Sequence, residues 1–260
     1  MATQIAAQLY TVRDFLKTPA EIESSFKRIR EIGYRAVQLS GLGPVEPERL
    51  AEIARNNGLE ICATHVDYYA LRDRTEQLIR EHKLWGCRYV GIGGLPGEYR
   101  TAEGYARFAR EGSEVARRLA DEGLVFIYHN HAFELERVSK DAEGRGGRTG
   151  LDILYSESDP RYFCAEIDTY WVQYGGGDPA VWIRRLSGRI PVVHFKDMTV
   201  HGHEQLMAEV GEGNLNWPEI LKACRQAGVV WHIVEQDICQ RDPFESLAIS
   251  LENLHRMGME

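Results

Sequence analysis

Short apolar runs alternate with amphipathic stretches along the whole chain, and this rhythm limits the fold more than any other feature. The runs read as strands at Ile5–Leu9, Ala36–Leu39, Glu60–Thr64, Tyr89–Ile92, Val125–His129, Phe163–Ile167, Val192–Phe195 and His232–Glu235. Between them apolar residues recur at three- and four-residue steps, as in Ile22, Phe26, Ile29 and Ile32. Later helices are expected at Ala180–Leu186, Trp217–Ala227 and Pro243–His255. Asp178-Pro179 and Asp242-Pro243 each put a capping side chain before a proline suited to a first helical turn. Gly33, Gly58, Gly86, Gly123 and Gly228 stop helices shortly before the next strand. Such alternation implies parallel strands joined by right-handed crossovers.

Eight units in 260 residues suit an α/β fold of one kind, a single (β/α)8 TIM barrel domain over residues 1–260. An open doubly wound sheet would alternate in the same way, but it gathers polar groups at one switch point. Here four consecutive runs end in metal-capable or proton-transferring side chains. They are FIYHNHAFE (126–134), FCAEIDTYW (163–171), VVHFKDM (192–198) and HIVEQD (232–237). Carboxylates and imidazoles are costly in a core and natural at the mouth of a parallel barrel.

A net charge of −8 leaves no electrostatic footprint for a polyanion, which counts against nucleic acid as a partner. The N-terminal MATQIAAQLYTVRDF lacks the pattern of a secretory signal, and no apolar run approaches the ~18 residues of a membrane helix. Five cysteines form no CxxC pair, which favours a reducing, cytoplasmic setting over a disulfide scaffold or a thiolate zinc site. Two segments break the rhythm. Residues 139–150 (SKDAEGRGGRTG) read as a flexible surface loop, and residues 199–214 as a long lid or binding loop on the active face.

Alternate side chains of a strand share a face, so His129 pairs with His131, Glu166 with Asp168, His194 with Lys196, and Glu235 with Asp237. An Asp, a His and a Glu from three neighbouring strands make a hard oxygen–nitrogen set for one divalent ion, with Mn²⁺ first and Mg²⁺, Co²⁺ or Zn²⁺ as alternatives. The fourth ligand comes from strand five, either Glu134 or one of the two histidines. The glycines of GIGGLPG (91–97) lack the spacing of a dinucleotide fingerprint. His201-Gly-His203 reads as a solvated pair, and Gly175–Asp178 as a capped turn.

The chain resembles the metal-dependent sugar isomerase/epimerase superfamily with the xylose-isomerase-like barrel. The resemblance lies in YHNHAFE (128–134), EIDTYWV (166–172), GGDP (176–179), GRIPVVHFKDM (188–198), VGEGNLNW (210–217) and VEQD (234–237). It implies metal ligands at Glu134, Asp168, His194 and Glu235. In the epimerase branch the strand-five Glu stands at the strand end, where this chain has Tyr128, and Glu134 falls six residues later. The chemistry implied is proton transfer next to a carbonyl through an enediolate. Candidate proton-transfer or oxyanion-stabilising groups are His129, His131, Glu134, Lys196 and Glu235, while His65, Trp171 and Glu212 are candidates for substrate contact.

The expected activity is isomerisation or epimerisation of a sugar, keto-sugar or polyol, in a chain able to form homo-oligomers. The alternative is a lyase or dehydratase of a keto-cyclitol or 3-keto-glycoside, because His-Asn-His at the strand-five end offers imidazoles to expel a leaving group. An abasic-site endonuclease, or a sugar-binding barrel without chemistry, ranks lower.

Overall fold

A computed structural model of the chain describes residues 4–140, 144 and 146–260. Among these residues ten strands form: β1 (Gln4–Gln8), β2 (Ala36–Leu39), β3 (Glu60–Val66), β4 (Tyr89–Ile92), β5 (Val125–His129), β6 (Phe163–Asp168), β7 (Val192–Phe195), β8 (Asp197–His201), β9 (Glu204–Ala208) and β10 (Trp231–Val234). Eight of them close into a parallel barrel in the order β1-β10-β7-β6-β5-β4-β3-β2, with helices between successive strands. The fold is the expected TIM barrel. No helix of the described residues is long and apolar enough to cross a membrane.

The helices start and stop where the local chemistry directs. The Thr18 hydroxyl caps Pro19–Ile32 in a reciprocal box with Glu21, and the Asp178 and Asp242 carboxylates cap Pro179–Arg185 and Pro243–Arg256, each beginning with proline. Their apolar faces pack on the outward side chains of the barrel, including Val37, Ile61, Phe126, Phe163 and Phe195. The inward side chains fall into tiers. Ala6, Ala36, Cys62, Tyr89, Ile127, Val192, Trp231 and Ile233 plug the lower barrel with apolar groups. Further along β1, β2, β5, β6 and β7 the inward positions turn polar: Gln8, Gln38, His129, Glu166 and His194 are all buried.

Two glycines of β4 and its extension explain the GIGG run. A side chain at Gly91 would meet the Thr64 carbonyl at 2.7 Å and the His65 ring at 3.1 Å, and one at Gly93 would meet His65 at 3.1 Å. The glycines clear the space that the His65 imidazole fills.

The segment 199–214 is more ordered than a lid loop. Its first part pairs as the antiparallel hairpin β8–β9, with His201 opposite Glu204 and Gly202 at φ +60° starting the two-residue turn. Asp197 anchors the hairpin to the barrel: its carboxylate accepts from the backbone N–H groups of Met198, Gly211, Gly213 and Leu215 and from the Trp217 indole. In the 139–150 segment, Lys140 bridges to Gly146 and Arg137 to Thr149, while residues 141–143 and 145 lie outside the described residues.

Candidate active site

The register of β5, β6, β7 and β10 sets Glu166 beside His129, and His194 beside both Asp168 and Ile233. Each strand end is fastened to the next. Asn130 Oδ1 accepts from the Asp168 N–H at 3.1 Å, tying β5 to β6. The Thr169 hydroxyl accepts from the Lys196 N–H at 3.0 Å and donates to the Lys196 carbonyl at 2.8 Å, tying β6 to β7. Asp168 Oδ1 caps the helix Thr169–Tyr174 through the Trp171 N–H at 2.8 Å, which turns Oδ2 toward the barrel axis.

Four candidate ligand atoms converge there. His129, Asp168, His194 and Glu235 each offer one, all within 4.8 Å of one another. Lys196, fully buried, places Nζ 3.0 Å from Asp168 Oδ2, 2.8 Å from Glu235 Oε2 and 2.7 Å from Asp237 Oδ2. The 3.0 Å approach to Asp168 is a charge contact without a directed hydrogen bond, because Oδ2 has no hydrogen-bond partner. Three carboxylates thus share one ammonium. Burial pushes the Asp168 carboxyl up to about 6, against the pull of Lys196 and His194 and with Glu235 adding to the rise. Burial would also raise Glu235, yet Lys196 and then His194 hold it well below the ordinary range. Lys196 Nζ lies slightly nearer Glu235, at 2.8 Å, than Asp168, at 3.0 Å.

The imidazoles divide in the same way. Burial works against charge on His194, but Glu166 and Glu235 on its two sides push it up to about 10. Burial and the neighbouring histidines hold His129 well below its ordinary value, and burial with Lys196 lowers His131 to about 4. His129 and His131 are therefore neutral, and Nδ1 of each lacks a hydrogen-bond partner.

The candidates named from the sequence separate by place. Asp168, His194, Glu235, Lys196, His129 and His131 come together at the mouth. His65 reaches the same interior lower down, bonding Glu166 through Nε2. Trp171 lies at the rim, its ring 5.2 Å from that of His131 and 5.5 Å from Lys196 Nζ, with an unpartnered indole N–H. Glu212 is elsewhere, exposed and accepting from Asn253 Nδ2 at 3.1 Å. His201 and His203 stand exposed at the hairpin turn.

Glu134 is also placed away from the cluster. After β5 the chain turns outward through Phe133–Leu135, and the carboxylate folds back behind the strand. Tyr128, an outward-facing residue, donates to Glu134 Oε1 at 2.7 Å, and the His131 N–H donates to Oε2 at 2.9 Å. The strand-five position at the mouth is filled by His129. Gln8, Gln38, Glu166 and Asn130 belong to the surroundings of the site and carried no role in the sequence reading. Only Glu166 had a signal there, its period-two relation to Asp168.

The rhizopine catabolism protein MocC of Rhizobium meliloti is 24% identical over 277 residues, covering 91% of this chain and 82% of that protein. An inosose dehydratase of Lacticaseibacillus casei is 27% identical over 165 residues, which spans 56% of this chain and about half, 52%, of that enzyme. Among solved structures, a sugar phosphate isomerase/epimerase from Parabacteroides distasonis superposes with a TM-score of 0.82 at 21% identity, covering 98% of both chains. An L-ribulose 3-epimerase gives 0.72 at 18% identity, over 98% of this chain and 94% of that one. At these identities the structural likeness speaks for the fold. The family assignment comes from residues 26–255, which match the model described as xylose isomerase-like TIM barrel, and the chain belongs to that family.

Proposed function

We propose that this protein is a divalent-metal-dependent enzyme that moves a proton at the carbon beside a carbonyl of a small carbohydrate, isomerising or epimerising a sugar, keto-sugar or polyol. One observation carries the reading. Among the described residues, five buried side-chain polar atoms lack a hydrogen-bond partner, and four of them are His129 Nδ1, His131 Nδ1, Asp168 Oδ2 and Trp171 Nε1, all at the barrel mouth. Buried polar atoms are rarely left unpaired unless a water, a ligand or an ion completes them, and four gathered at one mouth mark a polar binding site.

His129, Asp168, His194 and Glu235 would hold the ion, Mn²⁺ in the first instance, and the carboxylate excess over Lys196 fits a divalent charge. When bound, such an ion supplies a Lewis acid that polarises the carbonyl and acidifies the adjacent C–H. The side chains then divide the remaining work. Lys196 Nζ, held protonated by Asp168, Glu235 and Asp237 against the cost of burial, steadies negative charge developing on a substrate oxygen. Glu235 stays ionised and accepts a proton on one side of the mouth. His131, neutral and with Nδ1 free, serves the other side. His131 follows β5 and Glu235 follows β10, three places apart around the ring, so the two groups would approach a substrate from different sides. Trp171 at the rim would offer its unpartnered indole N–H to a substrate oxygen. The free thiols are in keeping with a cytoplasmic setting.

A second reading, elimination, is favoured by the pair of neutral imidazoles at the end of β5. An imidazole that takes the proton can return it to a departing hydroxyl on the same face. The partial match to a dehydratase supports the same option. One experiment covers both: incubate the Mn²⁺-loaded protein with a panel of keto-sugars and keto-cyclitols in D₂O. Deuterium entering beside the carbonyl, abolished by chelation and by Glu235→Gln, supports proton transfer. An isomer as product favours the first reading and loss of water the second. Full metal occupancy with no deuterium uptake across the panel would sink both.

A further inference from the structure

His194 lies between two sets of partners. On its Nδ1 side are Glu235 Oε2 at 2.9 Å and Asp168 Oδ2 at 3.9 Å. On its Nε2 side are Gln38 Oε1 at 2.6 Å and Glu166 Oε1 at 3.2 Å. Gln38 Nε2 donates to Glu166 Oε1 at 2.7 Å, and Gln38 Oε1 accepts a second bond from Gln8 Nε2 at 2.9 Å. The other oxygen of Glu166 meets His65 Nε2. Gln8, Gln38, Glu166 and His194 are all completely buried. This chain of polar groups runs across the barrel beneath the mouth, and the function proposed above gives Gln8, Gln38 and Glu166 no task.

Its directions are determined by its chemistry. Because the Gln38 amide nitrogen faces a carboxylate, the amide oxygen must face His194, and an oxygen there accepts only from an N–H. The His194 ring nitrogen toward Gln38 therefore carries hydrogen. Without an ion, Nδ1 carries a hydrogen as well, toward Glu235 Oε2; an ion that displaces that hydrogen leaves the lone pair on Nδ1, the atom toward Asp168 and Glu235. The opposite tautomer would set a lone pair against the Gln38 oxygen and present an N–H where an ion is expected.

We propose that Gln38 and Glu166 are positioning residues for metal binding, holding the His194 Nε2–H so that Nδ1 is presented to the Asp168–Glu235 side. The inference rests on the metal site assigned above. Histidine ligands generally donate their second N–H to a carboxylate or carbonyl, which fixes ring orientation and raises basicity at the ligating nitrogen. Here the amide makes the bond, and the carboxylate behind it orients the amide. Glu166 also lies within reach of a second possible ion position with His65, His129 and His194, but its two oxygens are engaged by Gln38 and His65, whereas Asp168 two residues on has an Oδ2 without a hydrogen bond.

The test begins with the intact protein loaded with Zn²⁺, a diamagnetic probe. Long-range ¹H–¹⁵N correlation of the histidine rings shows which nitrogen of His194 carries the proton, and Nε2 is expected. Isothermal titration with Mn²⁺ then compares wild type with Gln38→Met and Glu166→Gln. Each variant should bind about 10- to 100-fold more weakly with unchanged stoichiometry. Should Gln38→Met fail to fold, the wild-type spectrum and the isosteric Glu166→Gln decide. A proton on Nδ1, or unchanged affinity in either folded variant, overturns the positioning role while leaving the metal site in place. Two ions per wild-type chain, one of them lost in Glu166→Gln, would make Glu166 a ligand and overturn it as well. No ion bound by the wild type removes the site and this role together.

Discussion

Replacing Glu134 by Gln should remove a pH dependence of stability that the wild type carries. The carboxyl is completely buried behind β5, and both groups facing it, the Tyr128 hydroxyl and the His131 N–H, are short of the charge needed to offset burial. Burial therefore pushes it from 4.5 up to about 8, the two hydrogen bonds only moderating the rise. A group whose folded value is raised stabilises the fold fully below its unfolded value and loses that contribution as pH rises through the folded one. The window runs from about 4.5 to about 8, and roughly 1.4 kcal/mol per pH unit gives a loss on the order of 4 kcal/mol across it. Glutamine has the shape of the protonated acid: its oxygen accepts from the His131 N–H and its amino group donates to the Tyr128 hydroxyl oxygen. Urea unfolding of metal-free wild type and Glu134→Gln at about pH 5 and about pH 9 measures the difference. The wild type should lose stability relative to the variant by roughly that amount, and the variant should retain its divalent ion. Parallel pH profiles would refute the burial argument, and loss of the ion would return Glu134 to the ligand set.

Gly91→Ala should cost about 1–3 kcal/mol in thermal or urea unfolding, because the added Cβ meets the Thr64 carbonyl at 2.7 Å and displaces the His65 ring. Asp197→Asn puts an amino group among five donors and leaves at least one unmet, so a loss of about 1–3 kcal/mol is expected. Faster amide exchange across β8–β9 would locate that loss, and unchanged exchange would count against the anchoring role.

The strands and helices were legible because burial on a barrel wall enforces periods of two and 3.6, and the caps Asp178 and Asp242 mark helix starts by their own chemistry. Asp168, His194 and Glu235 were legible because a carboxylate or imidazole ending an apolar run has no cheap place except a strand mouth. The hairpin β8–β9 was not, since only Leu206, Met207 and Ala208 approach an apolar run and the turn depends on Gly202 alone. The position of Glu134 was hidden for a different reason. Past the end of β5 no periodicity constrains the chain, and the resemblance to ligand motifs carried no information about the turn at Phe133–Leu135. Gln8 and Gln38 were invisible as site residues because their partners are set by strand register and by contacts across the barrel, with Gln8 opposite Gln38 between β1 and β2.

The most direct measurement is the divalent-metal content of purified wild type and Asp168→Ala after Mn²⁺ loading and removal of free ion. About one tightly held ion per chain in the wild type, lost in a folded Asp168→Ala, is the result expected of a site that one open carboxylate oxygen helps to form. No ion in the wild type, or the same content in both proteins, would contradict the account.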